Sequence, residues 1–120
     1  MRSPTQCVLW KKGCITPEDL NFKLLKVFIS STYMKRSLFE CRECGQRYFH
    51  EWYEHINFNR DASMYDTYIP VDTDEEIDKL SKIENSEGLA RIFPQLHGSF
   101  TNDGDECLKW ITQEDETTPD

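Results

Sequence analysis

The chain has 120 residues and a formal net charge of −8, with 38% hydrophobic and 12% aromatic residues. This length provides for one hydrophobic core and not two, and this composition excludes an intrinsically disordered chain. The acidic balance disfavours general nucleic-acid binding, because contacts to phosphate need a positively charged surface.

The charges are unevenly distributed along the chain. Residues 1–47 carry nine Lys and Arg against four Asp and Glu, whereas residues 48–120 carry five against eighteen. The basic part could form a local nucleic-acid patch, for which the candidates are Lys11, Lys12, Lys35, Arg36, Arg42 and Arg47. The simpler interpretation is that opposite charges keep the domain soluble or face each other across the fold.

The sequence also bears on the cellular location. No apolar run is long enough to span a membrane, and Arg2 is not followed by the apolar segment of a secretory signal. Five cysteines are an odd number, and two of them form a close pair that is typical of a metal site. Both features favour a reducing compartment over a disulfide scaffold, so we expect a cytoplasmic protein without a membrane anchor.

The first predicted elements are a strand and a helix. Gln6 to Trp10 is a short apolar run that predicts a strand. Thr16-Pro17-Glu18-Asp19 predicts a helix start, because Thr can cap, Pro suits the first helical position and acids favour the positive helix end. An apolar spacing of four residues continues this helix from Leu20 to Phe28, although Val27 to Ile29 also favour a strand. We therefore expect a short helix that runs into a strand, followed by a loop at residues 30–32.

The next stretch carries the clearest chemical motif. Tyr33 to Glu40 predicts a strand that enters a tight turn at Cys41 and Cys44. Two cysteines separated by two residues can point both sulfurs at one ion, and tetrahedral zinc binds such pairs. Gly45 can take a positive φ at little steric cost, which lets the chain leave the turn and start the next strand. The stretch from Cys41 to Tyr48 resembles a zinc-ribbon half-site.

A zinc ribbon needs a second pair of ligands. Six residues separate Cys7 from Cys14, more than the usual two to four, so a wide loop would have to bring these two sulfurs together. We predict a zinc site formed by Cys41, Cys44, Cys14 and Cys7. In a mixed site, one of the latter two joins a histidine, for which His50 is the better candidate. The alternatives are a turn that has lost its metal, with cysteines packed as small apolar residues, or a redox pair.

The middle of the chain predicts two strands and a second helix. Residues 48–58 fit either a helix or a strand, and their aromatic content favours a long bent strand across a curved sheet. The polar residues 57–63 predict a loop, and Tyr65 to Val71 predicts a strand. Thr73-Asp74-Glu75-Glu76 is a capping box that starts an amphipathic helix, whose apolar positions are Ile77, Leu80 and Ile83. Glu51 and Glu54 are interpreted as part of a solvated acidic face.

The last part of the chain predicts strands and a tail. Strands are expected at Leu89 to Phe93, at Gln95 to Phe100 and at Cys107 to Ile111. Asn102-Asp103-Gly104-Asp105 predicts the turn before the last of them, because Asp-Gly suits tight hairpins. Residues 113–120 are acidic and low in apolar residues, so we expect a flexible tail after a single domain of residues 1–112.

These elements predict an α+β fold, in which a curved, mostly antiparallel sheet carries two helices and a zinc-ribbon-like knuckle. The function that fits best is a small non-enzymatic binding or regulatory module, stabilised by zinc and acting through protein contacts. One alternative is an acidic inhibitor of the immunity or antitoxin type, because such a protein could mask a basic active site. The other is a nucleic-acid-binding zinc-ribbon module, which the net charge disfavours.

Overall fold

The computed structural model describes residues 1–56, 62–101, 104–105 and 107–112. The predicted acidic tail at residues 113–120 lies outside the described residues, as does most of the loop predicted at 57–63. The extent of the single domain, residues 1–112, stays a prediction.

An antiparallel sheet of seven strands forms the framework of the described chain. Its strands are β1 (Phe22–Ser30), β2 (Met34–Cys41), β3 (Arg47–Ile56), β4 (Ala62–Val71), β5 (Gln95–Thr101), β6 (Gly104–Asp105) and β7 (Lys109–Ile111). The first five lie side by side in chain order, and β5 also pairs with the short strands β6 and β7. This order is the simplest antiparallel arrangement, because each of these strands folds back beside the one before it.

Two helical segments follow β4. Helix α1 (Asp74–Ser81) begins at the predicted capping box, where the Thr73 hydroxyl accepts a hydrogen bond of 3.1 Å from the Glu76 amide. The Glu76 carboxylate accepts one of 3.2 Å from the Thr73 amide in return. Segment α2 (Ser86–Leu89) is a single turn, capped by the Asn85 side chain. Among the residues described, neither helix is long and apolar enough to cross a membrane.

The predicted fold class is wrong in its helices, and the protein is mostly β. The first predicted helix is reduced to one 3-10 turn, Pro17–Asp19, in which the Asp19 carboxylate accepts a bond of 2.9 Å from the Thr16 amide. The chain then enters β1, which pairs with β2. The predicted helix-start residues do form a capped turn. The β-branched and aromatic residues after them prefer an extended backbone, which pairs with a neighbouring strand.

Two predicted strands are also replaced by other structure. Residues 6–10 form successive turns, and residues 89–93 form the end of α2 and a turn. Both runs are apolar because they cover the sheet, with Leu9 and Leu89 buried against it. A short apolar run indicates burial but does not by itself specify a strand.

The central strands agree with their predictions. Strand β3 is the predicted long strand as far as Ile56, and β2, β4 and β5 lie where strands were expected. Tyr48 and Phe49 point to opposite faces of β3, and both side chains are fully buried. Aromatic residues on both faces are accommodated because both faces of the sheet are covered.

Two hydrophobic clusters cover these faces. The N-terminal segment (residues 4–15) packs on one face, in a cluster that includes Cys7, Leu9, Ile15, Cys41, Tyr48, Tyr68, Leu96, Phe100 and Leu108. Helices α1 and α2 pack on the other face, in a cluster that includes Leu38, Phe49, Ile69, Val71, Ile77, Leu80 and Leu89. The N-terminal segment therefore lies against the face on which the Cys41 side chain is buried.

Candidate metal centre

A tight turn joins β2 to β3 and carries Cys41 and Cys44. The Gly45 amide donates to the Cys41 carbonyl, and the Cys41 amide donates to the Gln46 carbonyl, each at 2.8 Å. Gly45 has a φ of +81°, a conformation that glycine adopts at little steric cost. The backbone therefore fixes this turn as the sequence predicted.

Cys7 brings a third sulfur to this turn from the N-terminal segment. The Cys7 amide donates to the Pro4 carbonyl at 2.9 Å, and its carbonyl accepts from the Trp10 amide at 3.0 Å. The sulfur atoms of Cys7, Cys41 and Cys44 all lie within 4.8 Å of one another. Zinc–sulfur bonds of about 2.3 Å in a tetrahedron place the sulfurs about 3.8 Å apart, so at most a small inward side-chain rotation is needed. The cluster can hold a metal ion.

Three of the four predicted ligands thus lie together, and Cys14 lies elsewhere. Cys14 forms a disulfide with Cys107, 93 positions later in the chain. The proposed histidine ligand is also engaged elsewhere, because His50 Nε2 lies 2.6 Å from the Asp66 carboxylate and its ring stacks on Tyr68. Within the described part of the chain, Cys7, Cys41 and Cys44 are the only group of three or more potential ligands that meets in this way.

The cluster has a buried side and an exposed side. Cys7 and Cys41 are 5% and 2% exposed, whereas Cys44 is open to solvent. The buried Tyr48 hydroxyl donates a hydrogen bond of 3.0 Å to the Cys7 sulfur. A donor at this position stabilises a thiolate and orients it toward the other two sulfurs.

The surroundings act on the thiols in opposite directions. Burial raises the pKa of the Cys7 thiol to about 12, even though the Tyr48 hydroxyl acts to lower it. Burial also acts to raise the pKa of Cys44, but hydrogen bonds from the Gln46 backbone and from the neighbouring thiols outweigh it and lower the pKa. A bound cation would supply the positive charge that a buried Cys7 thiolate lacks.

A cleft of about 250 Å³ opens beside the cluster. Cys7 and Cys44 line it together with two arginines, and its full lining is Arg2, Gln6, Cys7, Cys44, Gly45, Gln46, Arg47, Val71 and Asp72. Arg2 pairs with the Asp72 carboxylate at 2.9 Å, and Arg47 contacts the Asp72 carbonyl and the Asp74 carboxylate. Two arginines, each paired with an aspartate, therefore line the cleft together with Cys7 and Cys44.

Sequence reasoning missed a polar row on the opposite face of the sheet. Arg36, Glu51, Thr67 and His97 occupy neighbouring register positions across β2 to β5. Arg36 donates to the Glu51 carboxylate at 2.8 Å and to the Ile83 carbonyl just after α1, and both charged side chains are buried. The expectations of a solvated Glu51 and of Arg36 in a basic surface patch are therefore wrong. The alternation of side chains along β3 could have predicted the burial of Glu51, because it puts Glu51 on the same face as Phe49.

Comparison with known proteins adds no assignment. No family model, no curated protein and no solved structure matches the chain. The cluster of Cys7, Cys41 and Cys44 is compatible with a zinc-ribbon-like site, and no family is identified. The geometry of the cluster and its surroundings is therefore the guide to its function.

Proposed function

We propose that the protein is a small, non-enzymatic module that binds zinc at Cys7, Cys41 and Cys44 and acts through contacts with other proteins. The observation that carries this proposal is the convergence of three sulfurs, two of them buried, within 4.8 Å. Cys7 and Cys41 are separated widely in sequence, so a bound ion ties the N-terminal segment to the sheet. Such a tie is the role of a structural zinc site.

Zinc is the metal that best fits these ligands. Thiolates are soft ligands that select zinc, copper(I) or iron–sulfur clusters over magnesium and calcium. A cysteine pair at the C-x2-C spacing on a turn that ends in glycine is a common half of zinc sites. The hydrogen bond from Tyr48 to Cys7 supplies the kind of outer contact that orients a ligand.

Elemental analysis tests the metal part of the proposal. We expect about one zinc per chain in protein purified without added metal, and its loss in Cys41→Ser. The matched control is the double variant Cys14→Ser/Cys107→Ser, which removes two cysteines but leaves the cluster intact and should keep its zinc. Zinc-free wild-type protein that also fails to bind added zinc would contradict the proposal.

Strand β1 supports the part of the proposal that concerns protein contacts. It lies at the edge of the sheet, where its outer backbone groups can pair with an added strand. Leu24, Leu25 and Val27 are 48%, 40% and 42% exposed, although they are large apolar side chains. An apolar edge strand of this kind is a surface that another chain can cover.

A second candidate function is the acidic inhibitor. The observation that favours it is the exposed acidic surface of α1, where Asp74, Glu75 and Asp78 are open to solvent. The nucleic-acid alternative loses support, because Arg36 is buried against Glu51 and Arg47 is engaged with Asp72 and Asp74.

Site-specific photo-crosslinking in the producing cells separates the two candidates. A photoreactive residue at position 24 reports on β1, and one at the exposed position 75 reports on α1. For the protein-binding module we expect a partner captured from position 24 and not from 75. The inhibitor predicts the reverse, with a basic protein captured from position 75. Absence of a crosslinked protein from both positions would contradict both candidates.

The proposed location is the cytoplasm. A reducing cytosol suits the three free thiols of the cluster, but it opposes a disulfide between Cys14 and Cys107. In the cytosol this pair would exist as thiols, and the backbone bridge between Ile15 and Leu108 would still join the two segments. Alkylation of freshly denatured, metal-free protein from cells tests this: five modified cysteines support the cytoplasm, and three contradict it.

A further inference from the structure

Three sulfurs would fill three of the four coordination positions of a tetrahedral zinc ion and leave one position for another ligand. Resting on the proposed zinc site, we propose that the fourth ligand is an external thiolate, which reaches the ion through the cleft lined by Cys7 and Cys44. The ligand is either a small thiol or the cysteine of a partner protein. The ion would then both link the N-terminal segment to the sheet and bind a thiolate from another molecule.

The described part of the chain offers no fourth sulfur. Its other two cysteines, Cys14 and Cys107, lie outside the cluster and meet each other, and the backbone bridge between Ile15 and Leu108 would keep them together as thiols too. His50 is held by Asp66 and Tyr68. The nearest carboxylate of the cleft, Asp72, already accepts from Arg2 at 2.9 Å and from the Gln46 side chain at 3.4 Å. Tetrahedral zinc with three protein ligands takes its fourth ligand from solvent or from another molecule.

The position of the cleft determines where that ligand enters. Cys41 and Cys7 are buried, and the open side of the cluster is the side on which Cys7 and Cys44 line the cleft. Its volume of about 250 Å³ is several times the ~30 Å³ of a water molecule. This volume admits one side chain or a small thiol, and it is below the range of about 300–1,000 Å³ that larger ligands occupy.

Charge and softness both favour a thiolate. Zn²⁺ with three thiolates carries one net negative charge, so a fourth anion needs nearby positive charge. Arg2 and Arg47 line the cleft, and Arg2, whose side chain is 75% exposed, could exchange its ion pair with Asp72 for an anionic ligand, because exposed ion pairs are weak. Among anions, sulfur matches an ion already held by sulfur better than a carboxylate oxygen does.

The exchange is balanced and involves no change of oxidation state. The incoming thiol releases its proton to solvent, and its sulfur forms a bond to zinc as the bound water leaves. The overall change is one zinc–oxygen bond replaced by one zinc–sulfur bond, with one proton released. The reaction is therefore reversible and depends on the concentration of the thiol.

Cobalt spectroscopy provides the test, because tetrahedral Co²⁺ absorbs in the visible range and its sulfur-to-metal charge-transfer band grows with the number of thiolates. The experiment uses the Cys14→Ser/Cys107→Ser protein loaded with Co²⁺, so that an added thiol has no disulfide to reduce. Titration with 2-mercaptoethanol should raise the charge-transfer intensity saturably by about a third, as three thiolates become four. Ethylene glycol and imidazole serve as the oxygen and nitrogen controls.

The outcomes separate this inference from the proposed function. Without tetrahedral Co²⁺ bands the proposed metal site itself fails. With such bands, an unchanged spectrum on addition of thiol, or an equal change with ethylene glycol, overturns the external thiolate alone. Arg2→Ala should weaken the thiol titration about two- to five-fold without changing Co²⁺ binding, and Arg2→Lys should restore much of it.

Native mass spectrometry distinguishes the two sources of the thiol. The zinc-loaded protein is isolated from cells without added thiol and compared before and after chelation. A small mass increment that chelation removes identifies a low-molecular-weight thiol. A protein-sized complex that chelation dissociates, and that a Cys→Ser change in the partner also dissociates, identifies a partner's cysteine. Protein that carries zinc alone and gives no response in the cobalt titration contradicts both.

Discussion

The N-terminal segment is attached to the sheet at two points, and sulfur serves a different purpose at each. At Cys7 the sulfur joins two others around a position that can hold an ion. At Cys14 it is covalently bonded to Cys107, at the far end of the chain. An ion held at the first point would be released by chelation, and the disulfide at the second is released by reduction.

The proposed metal attachment and the disulfide would stabilise the fold by different routes. A disulfide acts mainly on the unfolded chain, because it restricts the conformations available to a long loop. A metal ion acts by binding the folded state, so its contribution depends on the concentration of free metal. Neighbouring cysteines in the sequence, Cys7 and Cys14, can therefore have unrelated energetic roles.

The largest effect is expected from loss of the metal. Cys41→Ser removes a buried ligand, and structural zinc sites bind with apparent free energies of about 10 kcal/mol or more. We expect zinc binding to be lost and the melting temperature to fall to that of chelator-treated wild type. Scanning calorimetry with and without chelator measures both. A melting temperature of the wild type that chelation leaves unchanged would refute the metal attachment.

The second effect concerns the disulfide. Cys14→Ser/Cys107→Ser opens a loop of 93 residues, which should lower the free energy of unfolding by about 4–5 kcal/mol. Denaturant titration of zinc-loaded protein measures the difference, and reduced wild type should match the variant. The zinc content should stay the same. If the zinc content fell with the disulfide, the two attachments would be one coupled unit.

A smaller effect is expected from loss of the hydrogen bond between Tyr48 and Cys7. Tyr48→Phe removes the hydroxyl that donates to the Cys7 sulfur at 3.0 Å and should weaken zinc binding about 10- to 100-fold. Competition with a chromophoric chelator measures the affinity. Tyr68→Phe is the control, because Tyr68 is buried in the same hydrophobic cluster but is not bonded to Cys7. Equal affinities for wild type and Tyr48→Phe would mean that the hydroxyl has no part in holding the ion.

The smallest effect tests whether the segment has support besides sulfur. The Trp110 indole donates to the Leu9 carbonyl at 2.7 Å, and its ring lies edge-on to Trp10 at 4.8 Å. Trp110→Phe should cost about 1–2 kcal/mol and speed amide exchange at residues 7–10, with zinc content unchanged. Trp52→Phe on β3 is the matched control. Faster exchange in both variants would indicate a general loss of stability.

Local signals predicted the elements that depend on local chemistry. The capping box at Thr73 and Glu76 gave α1, and Gly45 gave the turn after Cys44. The apolar and aromatic content of β2, β3, β4 and β5 was enough to predict strands, and each of these strands pairs with a neighbour on both sides.

The errors have identifiable physical causes. Strand β1 has register irregularities between Leu24 and Lys26 and between Val27 and Ile29, which disrupt its period-two alternation. The remaining spacing of Leu20, Leu24 and Phe28 imitates a helix. The partner of each cysteine could not be predicted from the sequence, because it depends on the tertiary fold. Cys107 lies beside Cys14 because the neighbouring residues Leu108 and Ile15 form a backbone bridge.

The complete burial of Tyr48 and Phe49 has a consequence for how the ion would enter and leave. The turn with Cys41 and Cys44 leads directly into β3. The start of β3 is buried on both faces and should be among the last parts of the molecule to open. Cys7 lies on a segment of turns outside the sheet. Exchange of a bound ion would then need only a local movement of that segment away from the sheet, and the strands would stay paired.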